Sequence, residues 1–387
     1  MKKAFIYAAK RTPIGSFLGA LSGVAAPQLG ATAAKEALTQ AKVEASKIDE
    51  VIVGCVLPAG MGQAPARQVG IFSGVPNSAR AMTVNKVCGS GLKAVSLAAD
   101  RIALGQSNVL LAGGIENMSQ APYYLKTART GFRMGNAEAI DGMIFDGLWD
   151  PYNNYHMGSA GELCAREYKF SREHQDAFAA GSYKKAMAAI SGGHFKDEIA
   201  VVEIKSKKET IVVSSDEEPG KGKIENFSKL RPAFDSEKGT ITAANASSIN
   251  DGAAMAVVAA EGALSSKPLA RIIHCSEFAQ APEWFTTAPV GAIKKVLAEA
   301  SLKVSDIEIF EINEAFSVVA MAAQKELEIP EAKLNLKGGA VALGHPIGAS
   351  GCRLLTTMIY ALKPGQKGIA SLCIGGGEAS AMLVERV

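Results

Sequence analysis

The apolar positions of the first 120 residues fall into two alternating patterns. Continuous apolar runs at Ala4–Ala9, Val51–Val53, 79–87 and Val109–Ala112 read as β-strands, the last ending in Gly113-Gly114. Between them the spacing changes. Leu92, Val95, Ala99 and Ile102 recur at i, i+3, i+7 and i+10, the period of a helix with one apolar face, over 91–104. Leu29–Ala41 reads as an earlier helix, and Arg11-Thr12-Pro13-Ile14-Gly15 as a turn. Strands alternating with helices predict an α/β fold, with helices layered on a largely central sheet.

The last third of the chain repeats the first. Lys35, Leu38, Ala41, Val43, Ser46 and Ile48 return as Lys294, Leu297, Ala300, Leu302, Ser305 and Ile307, each 259 positions later. Ser90-Gly91 and Gly105-Gln106 return as Ser350-Gly351 and Gly365-Gln366, 260 positions later. Gly113-Gly114 and Gly375-Gly376 each follow a β-like run. A near-constant offset over separated segments predicts two copies of one α/β unit, packed into a layered, pseudo-symmetric body. The pattern weakens from Gln120 to about Asp235, where Tyr123, Tyr124, Phe132, Trp149, Tyr152 and Tyr155 mix with polar residues. A helical pattern covers 158–190, and 205–228 is charged, with Lys205, Lys207, Lys208, Lys221 and Lys223. This reads as an inserted loop domain of the kind that carries specificity; the plainer alternative is a solvated excursion. Core-like composition returns at Ala243–Ala260. The expected division is 1–119 with 240–268 as one half, 120–239 as the insertion, and 269–387 as the other half.

Composition narrows the function. A net charge of +3 over 387 residues gives no basic surface for nucleic acid or membrane. Six cysteines without a CxxC pair argue against a zinc site or a disulfide framework, and for a reducing compartment, here the cytoplasm. No apolar run reaches membrane-spanning length.

Four polar positions then stand out in glycine-flanked apolar runs. Cys88 lies where a strand turns into a helix, in Val87-Cys88-Gly89-Ser90-Gly91. Unpaired N–H groups and the helix dipole push a thiol there toward thiolate, the nucleophilic form. Taken alone, such a cysteine is more often a small buried apolar residue. His345 stands in the matching stretch of the second copy, Gly344-His345-Pro346-Ile347-Gly348, as a candidate general base. Asn313 ends the apolar strand Ile307–Ile312, at the position Gly54 holds in the first copy; an Asx-turn or a helix cap is its plain reading. Cys373 ends another β-like run, followed by Gly375-Gly376-Gly377, whose N–H groups could cradle an anion. Equivalent loops thus carry unlike polar residues, as a site shared between two halves would.

With Asn313-Glu314-Ala315-Phe316, Gly113 through Ala121 and Cys373-Ile374-Gly375-Gly376-Gly377, these stretches resemble the thiolase family over nearly the whole chain, most closely its biosynthetic acetyl-CoA acetyltransferase type. The resemblance implies a five-layered α-β-α-β-α fold from two like halves plus the loop domain. It implies condensation of two acetyl-CoA to acetoacetyl-CoA and CoA, and the reverse thiolysis, through an acetyl group on Cys88. It assigns His345 as acceptor of the Cys88 proton and Cys373 as the base that takes a proton from the second acetyl-CoA. One oxyanion hole would be His345 with a water held by Asn313, the other the N–H groups of Cys88 and Gly375. His156 and Met157 would favour short acyl groups. Leu148, Phe234, Ala246, Ser247, Ala315 and Phe316 would wrap the acyl group and pantetheine arm, although Leu148 and Phe234 also fit a plain core. No metal and no separate cofactor is implied, since coenzyme A is part of the substrate. Dimers, or dimers of dimers, are the implied assembly.

Two positions depart from the family pattern. Pro219 replaces a basic residue near the nucleotide end of CoA, so Lys221 or Lys223 would have to substitute. Ala379 follows Glu378 where a glycine is usual. The alternatives are a degradative 3-ketoacyl-CoA thiolase of broader chain length, which His156-Met157 disfavours, and a ketoacyl synthase, which would lack Cys373. A non-enzymatic scaffold would be expected to have lost Cys88, His345 or Cys373.

Overall fold

A computed structural model describes residues 2–205 and 209–387. Lys207 and Lys208 of the charged stretch lie outside the described residues. In chain order the main-sheet strands are β1 (Ala4–Arg11), β2 (Glu50–Gly54), β3 (Arg80–Val84), β4 (Val109–Asn117), β5 (Asn250–Ala260), β6 (Ala270–Ala279), β7 (Ile309–Ile312), β8 (Lys367–Ile374) and β9 (Glu378–Arg386). The helices are α1 (Ala26–Ala41), α2 (Pro65–Phe72), α3 (Ser90–Ala103), α4 (Met157–Tyr168), α5 (Arg172–Ser191), α6 (Ala288–Glu299), α7 (Ser317–Glu326), α8 (Ala340–Leu343) and α9 (Ile347–Ala361).

Hydrogen bonding runs in the order β7-β8-β9-β6-β1-β5-β4-β2-β3. Apart from β3, the order is a mirror of itself about β6 and β1, which meet through only two residue pairs, Phe5 with Arg271 and Ile6 with Ala270. Each half therefore contributes its own sheet to one continuous hydrogen-bonded order. Apolar side chains cover both faces of each, and that fixes five layers. Helices α1 and α2 close the outer face of the first sheet, where Leu29, Ala33 and Val69 meet Val51, Leu111 and Val257. Helices α3 and α9 lie between the sheets, with Leu92, Val95, Leu354 and Met358 in one cluster with Ile52, Leu110, Leu372 and Met382. Helices α6 and α7 close the far side, where Ile293, Val296 and Ala320 meet Ile312, Ile369 and Leu383.

Several expectations change. The turn expected at Arg11 begins later, because β1 continues through Arg11. Its guanidinium is fully buried, bonded to Glu198 at 2.6 Å and to both Asp216 oxygens at 2.7 and 3.0 Å. Those carboxylates belong to the inserted segment, so Arg11 ties that segment to the first sheet. Gly113-Gly114 do not end a strand, since β4 runs on to Asn117. The single helical pattern over 158–190 is two helices: Lys169 turns left-handed at φ 56° and Ser171 Oγ caps the next helix by accepting from His174 N–H. The second copy also departs from the first, for Ala340–Leu343 is helical at the positions matching β3. Among the described residues, no helix is long and apolar enough to cross a membrane.

Candidate active site

The loop after β3 is a tight knot. Val87 adopts φ 46°, a conformation that costs a β-branched residue energy. Local bonds hold it there: Val87 N–H donates to Asn85 Oδ1 at 2.9 Å, Lys86 N–H to Ser90 Oγ at 2.8 Å, and Ser90 O–H to the Val87 carbonyl at 2.6 Å. The next residue, Cys88, is half-buried at the start of α3. The helix start does not dominate its thiol. Burial pushes the pKa up to about 11, and Glu116 adds to the rise; the N–H groups of Gly375 and of Cys88 itself act in the opposite direction. Cys88 therefore rests as a thiol, contrary to the sequence expectation, because a sequence shows the helix start and not the desolvation.

His345 lies between α8 and α9, and its proton can be placed. Ser350 O–H donates to the Pro346 carbonyl at 2.9 Å, which uses its only hydrogen. Ser350 Oγ must then accept from His345 Nδ1–H, 2.6 Å away. The lone pair is on Nε2, which accepts from the Asn313 amide N–H at 3.4 Å. Burial, and the Arg353 charge after it, lower the His345 pKa to about 3, so the ring rests neutral. Its backbone N–H is held by Asn250 Oδ1 at 2.9 Å. Asn313 ends β7 with its N–H on the Ser371 carbonyl at 3.0 Å, and its side-chain oxygen is buried without a protein partner. Cys373, in β8, is buried; burial and the neighbouring Cys88 raise its thiol well above the ordinary value.

Cys88, His345 and Gly375 open on one apolar cavity of about 320 Å³. Its walls include Leu148, His156, Met157, Phe234, Ala246, Ser247, Ala315 and Phe316. The imidazole of His156 stacks on Phe234 with centroids 4.7 Å apart, and Phe316 meets Phe234 edge-on at 6.0 Å. Ser247 donates twice to the Ala315 carbonyl, from its N–H at 3.0 Å and its hydroxyl at 2.9 Å, stitching the first half to the second. Asn313 and Cys373 are not among the cavity's lining residues; both are buried beside them, Asn313 at His345 and Cys373 near Cys88. Lys221 is not part of the lining; its ammonium bonds Ser16 Oγ. Pro219 is buried and opens the short turn Pro219–Lys221. Four larger open grooves, of about 860, 560, 550 and 520 Å³, hold none of Cys88, His345 and Gly375. Among the described residues, no group of three or more His, Cys, Asp or Glu could hold a metal ion.

Sequence reading left several contributors unassigned. Val87, Met118, Phe285 and Ile347 also line the cavity. Glu116 accepts from the N–H groups of Val56 at 3.0 Å, Leu57 at 3.2 Å and Gly348 at 2.9 Å, with the Cys55 thiol at 3.7 Å. It binds a first-half loop to the first turn of α9. Its only sequence signal is a carboxylate inside an otherwise uncharged, fully buried strand.

The fold and site together define a two-half α/β protein with a cysteine, a neutral histidine and paired backbone donors around one short apolar cavity. That is the equipment of an acyl-transfer enzyme acting through a thiol. Comparison with known proteins agrees. The thiolase N-terminal domain model matches residues 4–262 and the thiolase C-terminal domain model residues 266–386. The chain belongs to the thiolase family. It is 50% identical to an acetyl-CoA acetyltransferase of Yarrowia lipolytica, over all of this chain and 97% of that one. It is 47% identical to an acetyl-CoA acetyltransferase of Pseudomonas aeruginosa over the full length of both. The crystal structure of Acat5 thiolase from Ascaris suum in complex with coenzyme A superposes with a TM-score of 0.95, at 42% identity and over all of both chains.

Proposed function

We propose that this protein is an acetyl-CoA C-acetyltransferase, joining two acetyl-CoA into acetoacetyl-CoA and CoA and running the thiolysis in reverse. The observation that carries the reading is the convergence of Cys88, His345 and Gly375 on one small apolar cavity walled by His156 and Met157. Relatives named acetyl-CoA acetyltransferase and a solved relative holding coenzyme A support it.

The chemistry follows from proton placement. His345 Nε2 takes the Cys88 proton as the sulfur attacks the acetyl thioester carbonyl. A thiol near 11 and an imidazole near 3 do not exchange a proton spontaneously, so transfer and attack run together. The oxygen that becomes negative is met by the N–H groups of Cys88 and Gly375, both of which act on the Cys88 sulfur. The Cys373 thiol gives its proton to the departing CoA sulfur, leaving acetyl-Cys88, a Cys373 thiolate and the proton on His345 Nε2. Cys373 then takes a proton from the methyl group of a second acetyl-CoA. The enolate carbon attacks the acetyl carbonyl, and the Cys88 sulfur leaves, taking back the proton from His345 Nε2, as acetoacetyl-CoA forms. The unpartnered Asn313 oxygen beside His345 is suited to hold a water for the enolate oxygen.

A homo-oligomer fits this reading, since β3 has a strand neighbour on one side only. The same reading puts the enzyme in the cytoplasm, in keeping with six free cysteines. Thiolysis of acetoacetyl-CoA should be measured beside longer 3-ketoacyl-CoAs. The rate should be highest for the four-carbon substrate, and Cys373→Ala should still take up an acetyl group, seen by mass spectrometry, without condensing. A preference for long chains would favour the degradative enzyme, and condensation by Cys373→Ala at a normal rate would remove Cys373 as the base.

A further inference from the structure

The two N–H donors beside the Cys88 sulfur come from different halves of the chain. One lies in the loop after β3, the other in the three-residue turn between β8 and β9. Nothing covalent sets their separation, so something must dock one loop against the other. Close packing is part of the answer: a Cβ on Gly89 would lie 2.5 Å from Ile374 Cδ1. Packing alone sets how near the loops come and leaves them free to slide.

The remaining constraint is electrostatic. Lys86 is two residues before Cys88, and its ammonium pairs with Glu378, the first residue of β9 after Gly375-Gly376-Gly377. Among the described residues this is the one ion pair joining the two loops. Glu378 is itself fixed, because it pairs in register with Ile374 across the turn and with Ala279 of β6. Glu277, also on β6, lies 3.8 Å from the Lys86 ammonium and 3.2 Å from that of Lys93 on the first turn of α3. Two lysines of the nucleophile segment thus face two carboxylates of the second half.

We propose that the Lys86–Glu378 pair is a positioning clasp that sets the register between the N–H groups of Cys88 and Gly375. It rests on the acyl-transfer reading above. The clasp acts on the transition state, because those donors matter most once the carbonyl oxygen has become negative. Neither residue reaches the cavity, so substrate binding is largely untouched. The side chains are 19% and 39% exposed, and partly exposed pairs add little to stability. Rate should therefore respond where melting temperature and KM do not.

The test is steady-state thiolysis of acetoacetyl-CoA by wild type, Glu378→Ala, Lys86→Ala and the charge-swapped double variant K86E/E378K. Wild-type turnover tests the acyl-transfer reading by itself. Given that turnover, each single variant should lose about tenfold or more in kcat, short of the hundredfold loss of a whole donor, with KM within about twofold. The swapped pair should recover part of the loss, since it restores the attraction with the signs reversed while Glu277 opposes a carboxylate at position 86. Active wild type with unaffected single variants would overturn the clasp. So would a swapped pair as slow as the singles, which would show that the Lys86 charge acts alone. A fall in KM-dependent binding or melting temperature that accounts for the rate would overturn it as well.

Discussion

Glu116 is enclosed by three backbone N–H donors and the Cys55 thiol, yet burial raises its pKa from 4.5 to about 7. The fold holds its proton at pH values where the unfolded chain has released it. Its stabilising contribution is therefore full below about 4.5 and is lost as pH rises through about 7. At about 1.4 kcal/mol for each pKa unit, the loss is on the order of 3 kcal/mol. Glu116→Gln removes this titration. The stability of wild type relative to the variant, from urea unfolding between about pH 4 and about pH 8, should fall by roughly that amount. A difference that stays constant with pH would show that Glu116 does not titrate there. Legibility at this scale depends on context. Cys88, His345 and Cys373 could be read because each interrupts an apolar, glycine-flanked run in one copy and not in the other. Glu116 could not, because what makes it special is contact with Val56, Leu57 and Gly348, far away in sequence. The state of the Cys88 thiol was misread for the same reason: burial is a property of the packed molecule.

At the scale of elements, the apolar patterns located β1 to β4, α1, α3 and β7 and missed α2, α7, β6 and β9, while the ends of those they located followed other forces. The pair Gly113-Gly114 looks like a strand end and is instead a close approach. A Cβ on Gly114 would lie 2.0 Å from the Gly348 carbonyl oxygen in the first turn of α9. The clash is with backbone, so no rotamer change relieves it. Gly114→Ala should push α9 outward and cost about 1–3 kcal/mol or more by overpacking. His345 precedes that helix by two residues, so thiolysis should slow as well. Gly181→Ala is the control, because it meets nothing within 4 Å and sits inside α5, where alanine is the better helix former. Denaturant unfolding of the two variants decides the matter, and a Gly114→Ala protein as stable as the control would mean that the contact yields freely. The break between α4 and α5 escaped the sequence for a related reason. A left-handed Lys169 and a capping Ser171 are polar residues that leave the apolar period intact.

At the scale of the whole molecule, the offset of 259 to 260 residues made two halves legible, but no sequence pattern shows which edges stay open. The strand β3 ends the hydrogen-bonded order and leads directly into the Cys88 loop. Its inner side is defined by two bonds: Arg80 N–H donates to the Asp49 carbonyl at 3.1 Å, and the Val84 carbonyl accepts from Cys55 N–H at 3.0 Å. Alternation along a strand then turns the backbone groups of Ala81 and Thr83 outward, away from β2. An outward row of unpaired donors and acceptors is a template for a second chain. If copies of this protein join there, Ala81→Pro removes one outward N–H and spares the inner ladder, since proline is tolerated on an edge. Sedimentation should then show a loss of dimer for Ala81→Pro, with native circular dichroism retained. Thiolysis should fall with it, because a partner strand on β3 would brace the Asn85–Gly89 loop that carries the nucleophile. An unchanged sedimentation profile would place the joint on another face and free the Cys88 loop from any dependence on assembly.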